Sequence, residues 1–252
     1  MQIILSPAKK MNRDLDSLPP LDLPLYLERT EQLLSYLRGL SLSGLRKLLA
    51  CNDQIAQLNY ERFQTMDLRQ GLTPALLAYE GIQYRYMAPA VFTRQELDYV
   101  QTHVFLLSGF YGILRPFDGV VPYRLEMQAR LRTSFCQNLY DFWGGALAGA
   151  LDATAPVLNL ASEEYARAVL PYLPPETEVV SPVFGQRLDN GRVVEKGVYV
   201  KMARGEMVRF LAERAAPSPE VLTAFDRLDF HYHPELSTPD RPVFLKEVTA
   251  PR

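Results

Sequence analysis

Leu107-Ser-Gly-Phe-Tyr-Gly-Ile-Leu-Arg-Pro-Phe-Asp118, continued by Pro122-Tyr-Arg-Leu-Glu-Met127, is the stretch of this chain best furnished for chemistry. Arg115 and Arg124 carry planar guanidinium forks that match a phosphate. Tyr111 and Tyr123 offer rings for stacking or hydroxyls for hydrogen bonds. Gly109 and Gly112 let backbone come close to a ligand. An apolar run opening into such a loop reads as a strand delivering a binding site. The competing reading is structural, with Arg115 and Arg124 pairing Asp118 or Glu126, because buried charges need partners.

A second cluster, Tyr199-Val-Lys-Met-Ala-Arg-Gly205 with Arg209, falls where the pattern hands a strand over to a helix. Amides at a helix start attract anions, and Lys201 and Arg204 would add charge. A solvated helix start without a ligand would look the same. Leu139 to Gly145, with Gly149 later in the same expected helix, reads as small residues permitting close packing, since no Walker lysine or Rossmann spacing accompanies them. No cofactor is expected.

Other constellations have little raw material. Three histidines, His103, His231 and His233, are too few for a triad or a three-histidine metal centre. His231 and His233 would share one face of a strand near Asp229 and Glu235, which makes them a weak candidate for iron or zinc. Cys51 and Cys136 form no close pair and lack the surroundings of a reactive thiolate. Glu126 and Asp141 are the candidate proton-transfer groups, with Asp118, Glu163 and Glu164 also in or beside the motif segments. Helix capping or arginine pairing explains each carboxylate equally well.

The elements that must position these groups follow from composition and periodicity. With 252 residues, 48% hydrophobic, the chain can bury a large core, and one domain spanning 1–252 is expected. The formal charge of −2 argues against non-specific coating of nucleic acid, so any anion site must be a local cluster. No apolar run approaches the roughly 18 residues of a membrane span, and the start lacks the order of a signal peptide; the expectation is a cytoplasmic protein. Gln2 to Leu5 reads as a short buried strand closed by Ser6-Pro7, with Lys9 and Lys10 at its mouth.

Residues 26 to 63 read as a helical hairpin, with Ser41 capping one helix and Asn52 or Asp53 the next. Runs at Leu76–Tyr79, Val104–Leu107 and Val157–Leu160 read as central strands, and Thr93 to Glu96 as a capping box. Asn190-Gly191 predicts a type I′ turn between strands over 179–188 and 193–200. Ala203 to Ala215 reads as a helix, and Val243 to Leu245 as a late strand. The fold class is therefore α+β: a mixed sheet flanked by helices, with a helix-hairpin-helix-like segment near residues 41–63.

LSPAKK at 5–10, LSGFYGILRPFD at 107–118, PYRLEM at 122–127, LYDFWG at 139–144, NLASEEY at 159–165 and YVKMARG at 199–205, in that order, resemble the YaaA family of peroxide-stress resistance proteins. The resemblance runs from Met1 to about Lys246. It implies a cytosolic protein with one compact mixed fold, associated with DNA binding and with limiting hydroperoxide damage, partly through iron. It implies no settled catalytic reaction. It also makes the segment matching Gly44 to Phe63 a helix-hairpin-helix that grips DNA backbone through hairpin amides. The residues carried over by motif are Lys9, Arg115, Tyr123, Arg124, Lys201 and Arg204. Met202 replaces a common second lysine, and Asn52-Asp53-Gln54 stands where Ser-Asp-Lys is common; both changes lower positive charge.

Two functions follow. In the first, the cations form a basic cleft for duplex or structured DNA, with the 41–63 hairpin as a second contact. In the second, the same cations hold a nucleotide or other small phosphorylated ligand while Glu126 or Asp141 transfers a proton.

Overall fold

The structure is a computed structural model, and it describes residues 1–246. Gln2–Leu5 is the fully buried strand its apolar run predicts. It lies between Val104–Ser108 and Val157–Leu160 and runs parallel to both. The five-stranded sheet is completed by Gly112–Leu114, antiparallel on Val104–Ser108, and by Val179–Val180, parallel on Val157–Leu160. Near-continuous Val, Ile and Leu in the three central strands fits a parallel core covered on both faces. A second, four-stranded sheet takes the order Val193–Val194, Val183–Arg187, Val243–Lys246, Phe230–Tyr232. Phe184 and Phe244 stack in it at 5.4 Å, and Phe225 links them to Phe210 on the helix Gly197–Glu213. The fold class is the α+β arrangement expected, with mixed sheets flanked by helices.

The expected helical hairpin is three helices: Leu27–Arg38, Leu42–Leu49 and Asp53–Thr65. Gly39 and Leu40 end the first, and Ser41 starts the second by accepting the Gly44 amide at 3.2 Å. Asn52, rather than Asp53, caps the third by accepting the Ile55 amide at 2.9 Å. Ala50, in the left-handed conformation at φ 46°, reverses the chain between the second and third. Thr93 and Glu96 form the expected capping box.

Four local expectations are corrected. Leu76–Tyr79 is not a strand: Ala75–Ala78 is a short helix, whose opening amides at Ala75 and Leu76 are taken by the Asp118 and Pro116 carbonyls, both at 2.9 Å. Tertiary acceptors for orphan helix amides here outweigh the apolar run. The second arm of the hairpin is only Val193–Val194, because the helix already begins at Gly197. Its turn is not type I′: among residues 189 to 191 only Gly191 has positive φ, at 81°, and Leu188 donates to the Arg192 carbonyl at 2.8 Å, giving a three-residue loop. Finally, Leu139–Trp143 and Ala146–Gly149 are two short helices, broken at Gly144.

Asp118 closes the motif loop, its carboxylate accepting the Arg115 amide at 2.8 Å while only 4% of the residue is exposed. Burial pushes its carboxyl up to about 7, against the pull of the Arg115 amide and guanidinium and with a smaller push from Asp22. A folded value above the ordinary carboxylate value means that folding favours the neutral acid. The associated stability is fully present below about pH 4 and is lost as pH rises through 7. Asp118→Asn keeps an acceptor for Arg115 and removes the charge. It should melt above the parent at pH 8, with the difference closing as pH falls toward 4. A difference independent of pH in thermal denaturation would refute this role.

Candidate anion-binding cavity

The strands Gln2–Leu5 and Val157–Leu160 are neighbours whose onward connections leave in opposite directions, one toward Val104–Ser108 and the other toward Val179–Val180. Ligands in sheets of this kind bind beyond the carboxyl ends of the strands at such a switch. Ser6 and Ser162 lie there and are joined: Ser6 Oγ accepts the Ser162 amide at 2.8 Å and contacts Ser162 Oγ at 3.1 Å. A cavity of about 480 Å³ opens above them, within the usual range for ligand sites. Its walls come from residues 6–10, 80–84, 123–126, Ser162, Glu164, Tyr165 and the helix positions Lys201 and Arg204.

Two close backbone approaches assemble it. A Cβ on Gly205 would sit 2.1 Å from the Gln83 carbonyl oxygen, so only glycine lets the helix Gly197–Glu213 descend onto Ile82–Met87 and carry Lys201 and Arg204 to the wall. A Cβ on Gly109 would sit 2.4 Å from the Leu125 carbonyl oxygen, so Gly109 lets the Arg124–Glu126 strip lie against the end of the central strand.

The wall carries five cations, Lys9, Lys10, Arg124, Lys201 and Arg204, against three carboxylates, Glu80, Glu126 and Glu164. Lys10 is bound to Glu80 at 2.9 Å. Glu126 Oε1 holds Arg124 at 2.9 Å and Lys9 at 3.3 Å. Lys201 is exposed and has no ion pair among the described residues. Burial pulls the Arg204 guanidinium below its ordinary value, partly offset by the charge of Glu195. A second, charge-balanced hollow of about 590 Å³ lies on the other side of Arg204, where Arg167, Arg204 and Arg241 meet Glu163, Glu195 and Asp240.

The wall is also aromatic. Tyr84, Tyr123 and Tyr165 are almost wholly buried, and burial raises all three phenols well above their ordinary value, so they stay neutral near pH 7. Ser108 Oγ accepts the amides of Phe110 at 3.1 Å and Tyr111 at 2.8 Å. Its own proton therefore goes to the Tyr123 oxygen, 2.5 Å away, which also shares a 2.8 Å bond with the Tyr79 hydroxyl.

The structure thus brings Lys9, Tyr123, Arg124, Glu126, Glu164, Lys201 and Arg204 to one cavity and places the other sequence candidates outside its wall. Lys201 and Arg204 arrive on the body of a helix rather than at its start. Tyr111 is fully buried, its hydroxyl accepting the Val121 amide at 3.2 Å. Arg115 lies over the Phe105 ring at 4.6 Å and donates to the Gln101 carbonyl. Arg209 pairs Glu213 at 2.9 Å. Asp141 accepts the Gln137 amide at 2.9 Å. In the hairpin, Asp53 pairs Arg46 at 2.7 Å and Gln54 is exposed. His233 binds Glu235 at 2.8 Å and His231 is exposed, and among the described residues no three His, Cys, Asp or Glu group as a metal site.

Gln83, Tyr84, Ser162 and Tyr165 also line the wall and are not among the sequence candidates, and Glu164 is there only as one of the motif carboxylates. Ser162, Glu164 and Tyr165 sit in the NLASEEY motif, directly after a predicted strand, which is a signal that could have found them. Gln83 and Tyr84 belong to no such motif. The helix turn 50–52 adjoins the cavity, since Arg124 and Glu126 are close enough to act on the Cys51 thiol, which burial nonetheless pushes up.

Fold and site together define an α+β protein with a cation-rich cavity at the carboxyl edge of its central sheet. The sequence profile of the family described as "Peroxide stress protein YaaA" matches residues 1–236. A UPF0246 protein of Desulfitobacterium hafniense is 56% identical over 247 residues, covering 98% of each chain. UPF0246 proteins of Lactiplantibacillus plantarum and Lachnoclostridium phytofermentans are 50% and 48% identical, over 97% and 98% of this chain and 99% and 96% of theirs. The chain belongs to the YaaA family of peroxide stress proteins.

Proposed function

We propose that the chain acts in the peroxide stress response as a nucleic-acid-binding protein, holding the phosphate backbone of DNA against the cavity rim. The observation that carries this is the meeting, at one concave site, of cations from three distant parts of the sequence in excess over their carboxylates. Phosphate-backbone binding rests on such clusters, and a net charge of −2 does not oppose a local one. The turn between Leu42–Leu49 and Asp53–Thr65 adjoins Arg124 and supplies a second contact. Among the described residues no helix is long and apolar enough to cross a membrane.

Glu126 gives the direct test, because one carboxylate oxygen holds both Lys9 and Arg124. Glu126→Gln should free two cations and strengthen binding of unrelated duplexes by a few-fold at low salt, as read by fluorescence anisotropy. Unchanged or weaker binding would contradict the reading.

A second reading is favoured by the cavity's volume and by the Glu126 carboxylate between two cations: an enzyme acting on a small phosphorylated ligand, with Glu126 moving the proton. A nucleotide at 100 times its Kd would stabilise the fold by about 2.7 kcal/mol. Under this reading nucleotides shift melting and duplex DNA does not.

A further inference from the structure

Two nitrogens in the cavity wall are buried without a hydrogen-bond partner among the described residues: Gln83 Nε2 and Arg204 Nε. Gln83 is only 7% exposed. Buried donors are paired in the great majority of cases, so two orphans on residues of one cavity wall call for an acceptor from outside. The two residues are held on neighbouring backbone, because Gly205, next to Arg204, is pressed on the backbone carbonyl of Gln83 itself. Around them stand the neutral tyrosines Tyr84, Tyr123 and Tyr165, and farther out the exposed ammonium groups of Lys9 and Lys201.

The cavity is therefore graded, with the ammonium groups of Lys9 and Lys201 exposed at its mouth and the Arg124–Glu126 pair, the tyrosines and the two orphan donors largely buried. A bare phosphate would satisfy only the mouth. A nucleotide matches both parts, its phosphate at the cations and its planar base among the tyrosines, with a carbonyl or ring nitrogen accepting from Gln83 and Arg204. A base stacked within a duplex cannot reach such a floor, so the unit must be unpaired.

We propose that the cavity receives a single unpaired nucleotide, with Gln83 and Arg204 as the groups that read its base. This rests on the phosphate-holding role assigned to the cavity above. The same chemistry is offered by a free nucleoside monophosphate and by one nucleotide extruded from a strand.

Both sources are tested by competition against a fluorescent nucleoside monophosphate and by anisotropy with two duplexes, one fully matched and one carrying a single unpaired nucleotide. The expected result is that nucleoside monophosphates bind about tenfold tighter than ribose 5-phosphate, which has the phosphate but no base. Gln83→Leu should bring that ratio close to one. This first comparison needs only the parent protein, so it holds even if the variant folds poorly. If the strand is the source, the duplex with an unpaired nucleotide also outcompetes the matched one. Equal affinity for ribose 5-phosphate and the monophosphates, with no preference between the duplexes, overturns the base site. Salt-sensitive binding of the matched duplex would still uphold the backbone reading, whereas no binding of any phosphate-bearing probe overturns both.

Discussion

Gly205→Ala should destabilise the protein by about 3 kcal/mol or more, the upper end of what overpacking a core costs. The new methyl would lie 2.1 Å from the Gln83 carbonyl oxygen and 2.9 Å from the Met87 amide nitrogen. Both are backbone atoms of the packed helix Ile82–Met87, so neither can swing aside as a side chain would. The helix Gly197–Glu213 would have to lift, carrying Lys201 and Arg204 away from the cavity. Gly149→Ala is the control: nothing stands within 4 Å of its added Cβ, and it ends a short helix. That change should be neutral or slightly stabilising, since glycine in a helix is worth less than alanine by roughly 0.5–1 kcal/mol. Urea denaturation of both variants decides the matter, and equal stability losses would contradict the close approach.

Removing the cavity cations should have the largest effect on binding. Lys201 is exposed and unpaired among the described residues, so Lys201→Ala takes away one phosphate contact and leaves the fold alone. It should weaken binding of unrelated duplexes by a common factor, about tenfold at low salt, and reduce the slope of log K against log salt by about 0.9. Arg124→Ala should cost more, because Glu126 would keep only Lys9 as partner and add a repulsive charge in the cavity. Losses confined to one DNA sequence would point to base readout in the groove and count against backbone binding.

What the sequence made legible followed from short-range physics. The central strands were visible as apolar runs, and the helix starts at Ser41, Asn52 and Thr93 as capping residues, because both signals are local. Leu76–Tyr79 misled for the complementary reason: its helix is decided by carbonyls forty residues away, which no local window contains. In the site, Lys9, Arg124, Lys201 and Arg204 could be picked by residue type and motif. Arg115 is of the same type and sits in an equally pointed motif, yet its guanidinium is turned to Phe105 and Gln101. Gln83 was invisible because it becomes notable only once Gly205 has brought a second helix against it. Residue type thus exposed the chemistry available, while convergence was a property of glycine-enabled contacts between distant segments.

The central claim is that these cations act together on phosphate, and the salt dependence of duplex binding by the parent protein tests it most directly. An anisotropy titration of two unrelated duplexes across salt should give parallel lines, with log K falling against log salt by about 0.9 for each phosphate neutralised, hence by roughly 3 if Lys9, Arg124 and Lys201 all take part. Binding that is indifferent to salt, or no binding even at low salt, would contradict it.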